Sequence, residues 1–301
     1  MSGEGGQKRA AVIGWPIDHS LSPVIHHWWL AAEGLTGTYE RIAVPPADLA
    51  AFLDRLRGEP GWAGVNVTIP HKETVARLVD EVSDGARATG SVNTVVVQDG
   101  RLTGHSTDGP GFMAGLDEQA PGYSPDAGGV CLVGAGGAAR AVAAAVLIGG
   151  ASQLMIVNRT HQRALALRDA LLAWLPERQR QEPGGDDRIL VSRWEDRGRA
   201  LTEARLLVNA TSLGMTGQPA LHLPLGRLPP EAVVCDLVYR PLDTELLRQA
   251  RARGNRTVDG LGMLLHQAAP AFEMFFGRPV RVTTALRDHV LAAAAVAAGE
   301  S

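Results

Sequence analysis

The sequence predicts an α/β protein of two domains. Its length of 301 residues suits one large domain or two modest ones. Short β-rich runs alternate with helical patterns from end to end, which favours an α/β fold with mainly parallel sheets. A Pro-, Gly- and Asp-rich stretch at 117–129 predicts a loop between the two halves. We expect the first domain to comprise 1–108 with 262–301, and the second domain to comprise 109–261.

The first domain is expected to contain five strands with three helices between them. The strands are predicted at 10–14, 39–44, 64–68, 93–97 and 101–103. The helices are predicted at 23–32, 46–57 and 71–79.

The second domain has the cleaner pattern of the two. Six strands are predicted, which is the strand count of a complete dinucleotide-binding unit. They lie at 130–133, 154–157, 189–191, 206–208, 233–237 and 256–258. The polar stretch 176–187 predicts an exposed insertion.

Two helices close the chain, at 262–276 and at 284–298. Gly277 can serve as the left-handed C-cap of the first of them, and Pro279 follows where a helix cannot continue. We expect these helices to return and pack on the first domain.

The composition is that of a globular protein without a general affinity for nucleic acid. Apolar residues make up 45% and charged residues 20% of the chain, which argues against extensive disorder. The 29 basic and 32 acidic residues give a net charge of -3, whereas a general nucleic-acid binder carries a basic excess. No apolar run approaches the ~18 residues that span a bilayer, so we expect no membrane partner. Residues 1–7 carry no hydrophobic signal core and predict a loose tail.

The two cysteines are typical of a reducing cellular compartment and predict neither a disulfide nor a metal site. Cys131 and Cys235 each lie inside an apolar run, so we expect buried thiols and neither a disulfide nor a metal site. A reducing cytoplasm suits such cysteines. The sequence leaves open whether the protein is a monomer or a homodimer.

A glycine-rich segment follows the first strand of the second domain and opens an alanine-rich helix. Gly134 permits a tight turn, Gly136 lets the backbone approach a pyrophosphate, and Ala139 lets the helix pack close to the strand. This pattern predicts a Rossmann-type doubly wound domain, and the alternative is a plain glycine-rich turn. The expected cofactor contacts in this segment are Gly134, Ala135, Gly136, Gly137 and Ala138.

The end of the second strand indicates which dinucleotide binds. An NAD-binding domain usually places an acid there to hold the ribose hydroxyls. Here the residues are Asn158, Arg159 and Thr160, followed by Arg163. Guanidinium groups suit a 2′-phosphate, so the sequence predicts NADP(H) over NAD. The alternative is that both arginines are solvated residues at a helix start.

The loops after the fourth and fifth strands lie where the nicotinamide end of the cofactor is expected. They supply polar side chains and a tyrosine, Tyr239, in an otherwise apolar setting. The expected cofactor contacts in this part of the chain are Thr211, Ser212, Met215, Leu237, Gly260 and Met263.

Polar clusters in the first domain follow strands or precede helices, where ligand crevices of α/β proteins lie. Ser20 and Ser22 can grip a polyol or a carboxylate, although Ser22 before Pro23 also resembles an N-cap. Thr68 and Lys72 sit between a strand and a helix, where Lys72 is equally explained as an exposed lysine.

Two further clusters, around Asn93 and Asp108, are typical of turns when each is taken alone. Gln267 falls on the helical row of Met263 and Ala271, so its amide needs a partner in the backbone or in a ligand.

Nine motifs, taken together and in this order, resemble the shikimate dehydrogenase family from about residue 11 to residue 277. They are Ser-x-Ser-Pro, Asn-Val-Thr-x-Pro-x-Lys, Gly-x-Val-Asn-Thr, Gly-x-x-Thr-Asp-Gly, Gly-x-Gly-Gly-Ala, Asn-Arg-Thr, Asn-Ala-Thr-Ser-x-Gly-Met, Asp-x-x-Tyr-x-Pro and Gly-x-x-Met-Leu-x-x-Gln-Ala. The resemblance implies an oxidoreductase of the shikimate pathway, which leads to chorismate and the aromatic amino acids. The implied reaction is the NADPH-dependent reduction of 3-dehydroshikimate to shikimate.

The resemblance also implies roles for individual residues. The positions matching those that bind substrate are Ser20, Ser22, Thr68, Lys72, Asn93, Asp108, Tyr239 and Gln267. Lys72 and Asp108 match the catalytic pair. An ammonium can protonate the alkoxide that hydride transfer leaves on a ketone oxygen, so we expect Lys72 to act as the acid and Asp108 to orient it. The reverse assignment stays open, because a coupled pair titrates as a unit.

Two alternatives remain. One is a quinate/shikimate dehydrogenase with relaxed cofactor use, against which the missing acid after the second strand argues. The other is a non-catalytic sensor that binds NADP and a protein partner.

Overall fold

The computed structural model describes residues 8–175 and 188–298. Two expectations therefore lie outside the described residues, the loose tail at 1–7 and the exposed insertion at 176–187. The chain divides into two compact units, with boundaries between Thr107 and Asp108 and between Leu264 and Leu265.

The first unit is built on a six-stranded mixed sheet. Its strands are β1 (Lys8–Gly14), β2 (Gly37–Ala43), β3 (Trp62–Val67), β4 (Glu81–Val82), β5 (Thr94–Gln98) and β6 (Arg101–His105), in the order β2-β1-β3-β5-β6-β4. β1 pairs parallel with β2 and β3, whereas β5 pairs antiparallel with β3 and β6. The pairing is mainly parallel, as expected, and the two contacts of β5 are the exceptions. The pairing of β5 with β6 follows from the short turn at Asp99 and Gly100, both with positive φ, which permits only a hairpin.

The second unit is built on a six-stranded sheet that is parallel throughout. Its strands are β7 (Gly129–Val133), β8 (Gln153–Val157), β9 (Ile189–Ser192), β10 (Ala204–Asn209), β11 (Val233–Asp236) and β12 (Arg256–Val258), in the order β12-β11-β10-β7-β8-β9. This is the doubly wound order of a Rossmann-type domain, so the predicted fold is confirmed. The strand order reverses between β7 and β10, and the loops at that point line the crevice in which such sheets bind ligands.

Helices cover both sheets. In the first unit they are α1 (Ser22–Ala32), α2 (Leu49–Gly58), α3 (Lys72–Leu78) and α4 (Asp84–Thr89). In the second they are α5 (Asp108–Gln119), α6 (Gly137–Ile148), α7 (His161–Trp174) and α8 (Glu245–Ala252). The last two are α9 (Gly260–Phe276) and α10 (Thr284–Ala298).

The loop predicted at 117–129 is wrong at both ends. Residues 117–119 belong to α5, and residue 129 begins β7. Glycines lower the helix propensity of α5, but they serve its packing. A Cβ on Gly115 would lie 2.8 Å from the carbonyl carbon of Gly262, and one on Gly109 would lie 3.2 Å from the Ala141 carbonyl oxygen. Close helix packing therefore fixes a helix that the local sequence disfavours.

The C-terminal helices contact the first unit, as the sequence predicts. The Trp29 ring in α1 lies 5.5 Å from the ring of Phe272 in α9, and the Trp28 ring lies 4.7 Å from the ring of His289 in α10, measured between centroids. α9 ends at Phe276 and is followed by Gly277, whose φ is 75° and whose N–H donates to the Glu273 carbonyl. The C-cap prediction is therefore confirmed.

Both cysteines are buried and free, as expected. Burial raises the pKa of Cys131 to about 12. Over the described ranges, no helix combines the length and the apolar character that crossing a membrane requires.

Candidate active site

Two serines lie at the entry to α1, close to the end of β1. The Ser20 hydroxyl accepts from the Ser22 N–H and donates to the Ser22 hydroxyl, both at 3.3 Å. The N-cap position is Leu21, and no side chain caps the helix. The N-cap alternative for Ser22 is therefore wrong, because Ser22 is the first residue inside the helix and its hydroxyl accepts from the Ser20 hydroxyl. Neither hydroxyl is used to cap the helix, and both side chains are largely buried.

Thr68 directly follows β3 and lies against the end of β1. Its N–H donates to the Ile13 carbonyl at 2.9 Å. A Cβ on Gly14 would lie only 2.5 Å from Cγ2 of Thr68, so glycine is required for this approach. The Val67 N–H donates to the Asn93 carbonyl at 2.8 Å, which brings the chain at Thr68 beside the segment that carries Asn93.

Lys72 is the first residue of α3, and its side chain is half-buried. A cation at a helix N-terminus opposes the usual dipole preference, and such departures from local rules mark functional positions. Its neighbour His71 is buried, with Nε2 2.7 Å from the Val44 carbonyl oxygen. The Lys72 carbonyl accepts from the Val92 N–H at 3.0 Å. The second contact places the start of α3 next to Asn93.

Asn93 is the hub of the buried polar groups in the first unit. Its Oδ1 accepts from the Thr107 N–H at 2.7 Å, and its Nδ2 donates to the Thr107 hydroxyl at 2.7 Å. Nδ2 also donates to Oε1 of Gln267 in α9, at 3.1 Å. Two predicted binding residues that are far apart in sequence thus meet directly. The expectation of a backbone or ligand partner for the Gln267 amide misses this contact, in which the partner is the side chain of Asn93.

Sequence reasoning missed two members of this network, Asn66 and Tyr39. Both are buried, on β3 and β2. Nδ2 of Asn66 donates to the Thr94 hydroxyl at 3.0 Å and to the Asn93 carbonyl at 3.3 Å. A detectable signal was present for Asn66, because an amide in the run from Trp62 to Val67 must be satisfied inside the sheet. Tyr39 gave no such signal, since tyrosine is a common core residue in strands.

Asp108 is the buried first residue of α5. It directly follows Thr107, whose N–H and hydroxyl are both bound by Asn93. Asp108 and the half-buried Tyr239 belong to the second unit. Their predicted approach to Lys72 stays a prediction.

The turn between β7 and α6 has the features expected of a pyrophosphate cradle. Gly134 has φ 125°, and a Cβ there would lie 2.8 Å from the Ala210 carbonyl oxygen. A Cβ on Gly136 would have no atom within 4 Å, so the protein itself does not require glycine there. The missing side chain leaves room for a ligand at the N-terminus of α6, where backbone N–H groups favour an anion. Ala139 is fully buried, which permits the close packing of α6.

The segment after β8 carries the residues that predict NADP(H). The Asn158 side chain donates to the Thr160 carbonyl at 2.9 Å, which orders the turn into α7. Arg159, Thr160 and Arg163 are exposed, and no carboxylate lies among these four positions. The donor set therefore fits a phosphate and lacks the carboxylate with which NAD-binding domains usually hold the ribose 2′-hydroxyl.

The loop after β10 is held by side chains from two neighbouring strands. The Asn209 Oδ1 accepts from both the N–H and the hydroxyl of Thr211, at 3.0 and 2.7 Å. Asn209 also donates to Asp236 at the end of β11. Leu237 follows, and a Cβ on Gly260 would collide with its carbonyl oxygen. Glycine is thus needed where α9 begins, beside the expected nicotinamide position.

The remaining predicted contacts of this part are less enclosed. Ser212 is exposed, and Met215 and Met263 are half-buried. All three lie in the second unit with the glycine-rich turn. Among the described residues, no group of three His, Cys, Asp or Glu side chains is arranged to hold a metal ion.

Family models match three segments of the chain. A shikimate dehydrogenase substrate-binding domain matches residues 12–95. A shikimate/quinate 5-dehydrogenase model matches residues 123–175, and a shikimate 5′-dehydrogenase C-terminal domain matches residues 260–287.

Similar proteins cover nearly the whole chain. The shikimate dehydrogenase (NADP+) of Rhodospirillum rubrum is 49% identical over 288 residues, which span 95% of this chain and 98% of that protein. The structure of shikimate 5-dehydrogenase from Thermus thermophilus, in complex with NADP(H) and shikimate, has a TM-score of 0.80 at 37% identity and covers 95% of this chain and 100% of that one. The structure of quinate dehydrogenase from Corynebacterium glutamicum, in complex with NAD, has a TM-score of 0.83 at 34% identity. The match covers 95% of this chain and 99% of that one.

Proposed function

Because the chain belongs to the shikimate dehydrogenase family, we propose that it catalyses the reversible, NADPH-dependent reduction of 3-dehydroshikimate to shikimate. One observation in the structure carries the proposal furthest. The Asn93 amide joins Thr107 and Gln267, and the backbone of Lys72 is fixed beside it. Reduction of a ketone on a polyol ring requires a proton donor and hydrogen-bonding groups for the ring hydroxyls. A lysine beside buried amide and hydroxyl groups can supply both.

The first unit binds the substrate in this proposal. The ring carries a carboxylate and hydroxyl groups, and the side chains assigned to them are neutral donors and acceptors. Ser20 and Ser22 bind the carboxylate, and Thr68, Asn93 and Gln267 bind hydroxyl groups. These side chains are buried or half-buried, so their orientation is set before the substrate arrives. Tyr239 adds a contact from the second unit.

The chemical step needs a hydride and a proton. NADPH, when bound, supplies the hydride to the ketone carbon. The Lys72 ammonium donates its proton to the oxygen on which negative charge develops, and becomes a neutral amine. In the oxidation of shikimate, the neutral amine accepts that proton from the hydroxyl group. Asp108 orients the ammonium in this proposal.

The second unit binds NADP(H). The backbone from Gly134 to Ala138 and the N-terminus of α6 hold the pyrophosphate. Arg159 and Arg163 bind the 2′-phosphate, with Asn158 and Thr160 beside them. The nicotinamide end is contacted by Thr211, Ser212, Met215, Leu237, Gly260 and Met263.

Quinate is the second candidate substrate, because a quinate dehydrogenase crystallised with NAD has the same fold at 34% identity. Purified protein is offered shikimate or quinate, each with NADP+ or NAD+, and formation of the reduced nicotinamide is followed by absorbance. We expect turnover with shikimate and NADP+. Comparable turnover with quinate and NAD+ would assign the chain to the second candidate. Binding of NADPH without turnover of either substrate would instead support a non-catalytic sensor.

The cellular setting and the assembly are part of the same proposal. The two buried thiols suit a reducing cytoplasm. Analytical ultracentrifugation would decide between a monomer and a homodimer.

A further inference from the structure

We propose that Asp236 is a positioning residue that acts through Asn209 to fix the β10 loop, residues 210–215, for the nicotinamide end of NADP(H). The β10 loop carries the predicted cofactor contacts Thr211, Ser212 and Met215. The inference rests on the proposed function, because it assumes that this loop contacts the cofactor. It adds two residues to which the family motifs alone assign no role here.

Asn209 uses both ends of its amide to shape the loop. Its Oδ1 accepts from the Thr211 N–H and hydroxyl, and its Nδ2 donates to the Leu213 carbonyl at 3.1 Å. The Thr211 hydroxyl in turn accepts from the Leu213 N–H at 3.1 Å. These hydrogen bonds fix the loop at two positions, Thr211 and Leu213. The arrangement works only if the oxygen of the Asn209 amide faces Thr211 and the nitrogen faces away.

Asp236 sets that orientation. Its Oδ1 accepts from Nδ2 of Asn209 at 2.9 Å and from the Val238 N–H at 3.0 Å. Its Oδ2 accepts from the Thr244 hydroxyl at 2.7 Å. A carboxylate only accepts hydrogen bonds, so the group facing it must be the amide nitrogen. Asn209 and Asp236 are direct partners in the pairing of β10 with β11, which places them next to each other.

Burial of the Asp236 carboxylate is energetically unfavourable at this position. Both Asn209 and Asp236 are fully buried, and Asp236 follows the apolar run Val233, Val234 and Cys235. Burial raises the pKa of Asp236 to about 6, and the three hydrogen bonds it accepts oppose that rise only in part. Both carboxylate oxygens are bound, so the cost of burying the charge is offset by the partners it holds, which are Asn209, the Val238 N–H and Thr244. Orientation of Asn209 is what the carboxylate adds.

The competing explanation is that Asp236 only stabilises the fold. A substitution at Thr244 distinguishes this explanation from the positioning role. Thr244 is the N-cap of α8, where its hydroxyl accepts from the Leu247 N–H at 3.3 Å. Asp236 therefore also supports the start of α8. Thr244→Val removes that support and leaves the Asn209 contact in place, so it serves as the matched control.

The first test is NADPH binding without substrate, followed by the fluorescence of the reduced nicotinamide. Asn209→Asp places an oxygen against the Asp236 carboxylate and removes the donor to Leu213. We expect the Kd for NADPH to rise by about tenfold or more, the equivalent of one lost well-placed polar contact. Asp236→Asn keeps an acceptor for Asn209 and a donor for Thr244, so its Kd should stay within about threefold.

The double variant is decisive. In Asn209→Asp with Asp236→Asn, the donor and the acceptor have changed places between the two strands. We expect it to bind NADPH more tightly than Asn209→Asp alone, with no change in the KM for shikimate at saturating NADP+. A double variant no better than Asn209→Asp, or a Thr244→Val variant equally impaired, would overturn the proposal. If Asn209→Asp is not obtained folded, Asn209→Ser loses the same two donor contacts without adding charge.

The outcomes also separate the inference from the function on which it rests. A wild-type chain that does not bind NADPH would refute the proposed function. A wild-type chain that binds NADPH, beside an Asn209→Asp variant that binds it equally well, would refute only the positioning role.

Discussion

The Tyr39 hydroxyl donates a 2.6 Å hydrogen bond to Oδ1 of Asn66. This contact turns the Asn66 amide so that its nitrogen faces the Asn93 carbonyl and the Thr94 hydroxyl. Burial raises the pKa of Tyr39 well above its ordinary value, and a hydrogen bond with the Ser22 side chain opposes that rise in part. Tyr39 thus lies between Ser22, a predicted carboxylate-binding serine, and β3, the strand that leads into Thr68.

Removal of that hydroxyl is predicted to weaken substrate binding. In Tyr39→Phe, Oδ1 of Asn66 loses its donor in a buried site, and the orientation of the amide is no longer fixed. We expect kcat/KM for shikimate to fall by about tenfold, mainly through KM, with the KM for NADP+ unchanged. Tyr123→Phe is the matched control, because the buried Tyr123 hydroxyl has no hydrogen-bond partner among the residues described. Equal effects of the two variants would contradict the prediction.

Replacement of Lys72 is predicted to abolish most of the chemistry. Lys72→Ala removes the proton donor for the forming alkoxide, so we expect kcat to fall by about a hundredfold or more, with a smaller change in KM. The chain has only one other lysine, Lys8, which is exposed at the start of β1 and supplies the control variant Lys8→Ala. A normal kcat with a large increase in KM would show that Lys72 only binds substrate.

The arginines after β8 are predicted to select the cofactor. In the variant with Arg159→Ala and Arg163→Ala, the 2′-phosphate loses both guanidinium partners. We expect the KM for NADP+ to rise by about tenfold or more, while the KM for NAD+ changes little. Arg168→Ala, on the same helix and next to Asp169, is the control. Unchanged kinetics with both cofactors would mean that the two arginines are solvated helix-start residues.

The sequence predicted the second unit better than the first for a physical reason. The inner strands of the parallel sheet are largely buried on both faces, so β7, β8 and β10 each contain an apolar run that the sequence shows. The first sheet is mixed, and its smallest elements, β4 and α4, have 2 and 6 residues, too few for a periodic pattern.

The residues of the candidate site divide in the same way, into those that a short motif identifies and those whose role depends on contacts distant in sequence. Lys72, Thr68 and the glycines of the β7 turn belong to short motifs, and the sequence identifies them. The contact of Asn93 with Gln267 spans 174 residues, and no local pattern can predict it. The role of Tyr39 depends on which strand lies beside its own, information that only the folded sheet supplies.

His26 is predicted to make the fold sensitive to acid. Its ring is stacked on Tyr39, with centroids 3.8 Å apart and planes 8° from parallel. Neither ring nitrogen has a hydrogen-bond partner within the described ranges, and the residue is fully buried. Burial, with a smaller contribution from the charge of His27, lowers the pKa of His26 from 6.5 to about 3.

The sign of the effect follows from the protons bound in each state. Between these two pKa values the unfolded chain binds a proton that the folded chain excludes, so stability falls as the pH drops below 6.5. At about pH 5 the loss attributable to His26 is about 2 kcal/mol of unfolding free energy, and it continues to grow toward the folded-state pKa.

His26→Phe keeps a ring stacked against Tyr39 and removes the titrating group. Urea denaturation of wild type and variant at about pH 7 and about pH 5 measures the difference. We expect the wild type to lose about 2 kcal/mol more than His26→Phe between these two conditions. His289→Phe is the control, because His289 is exposed beside Trp28, 4.7 Å between ring centroids, and should follow the wild type. Parallel losses in wild type and His26→Phe would show that this histidine does not couple proton binding to folding.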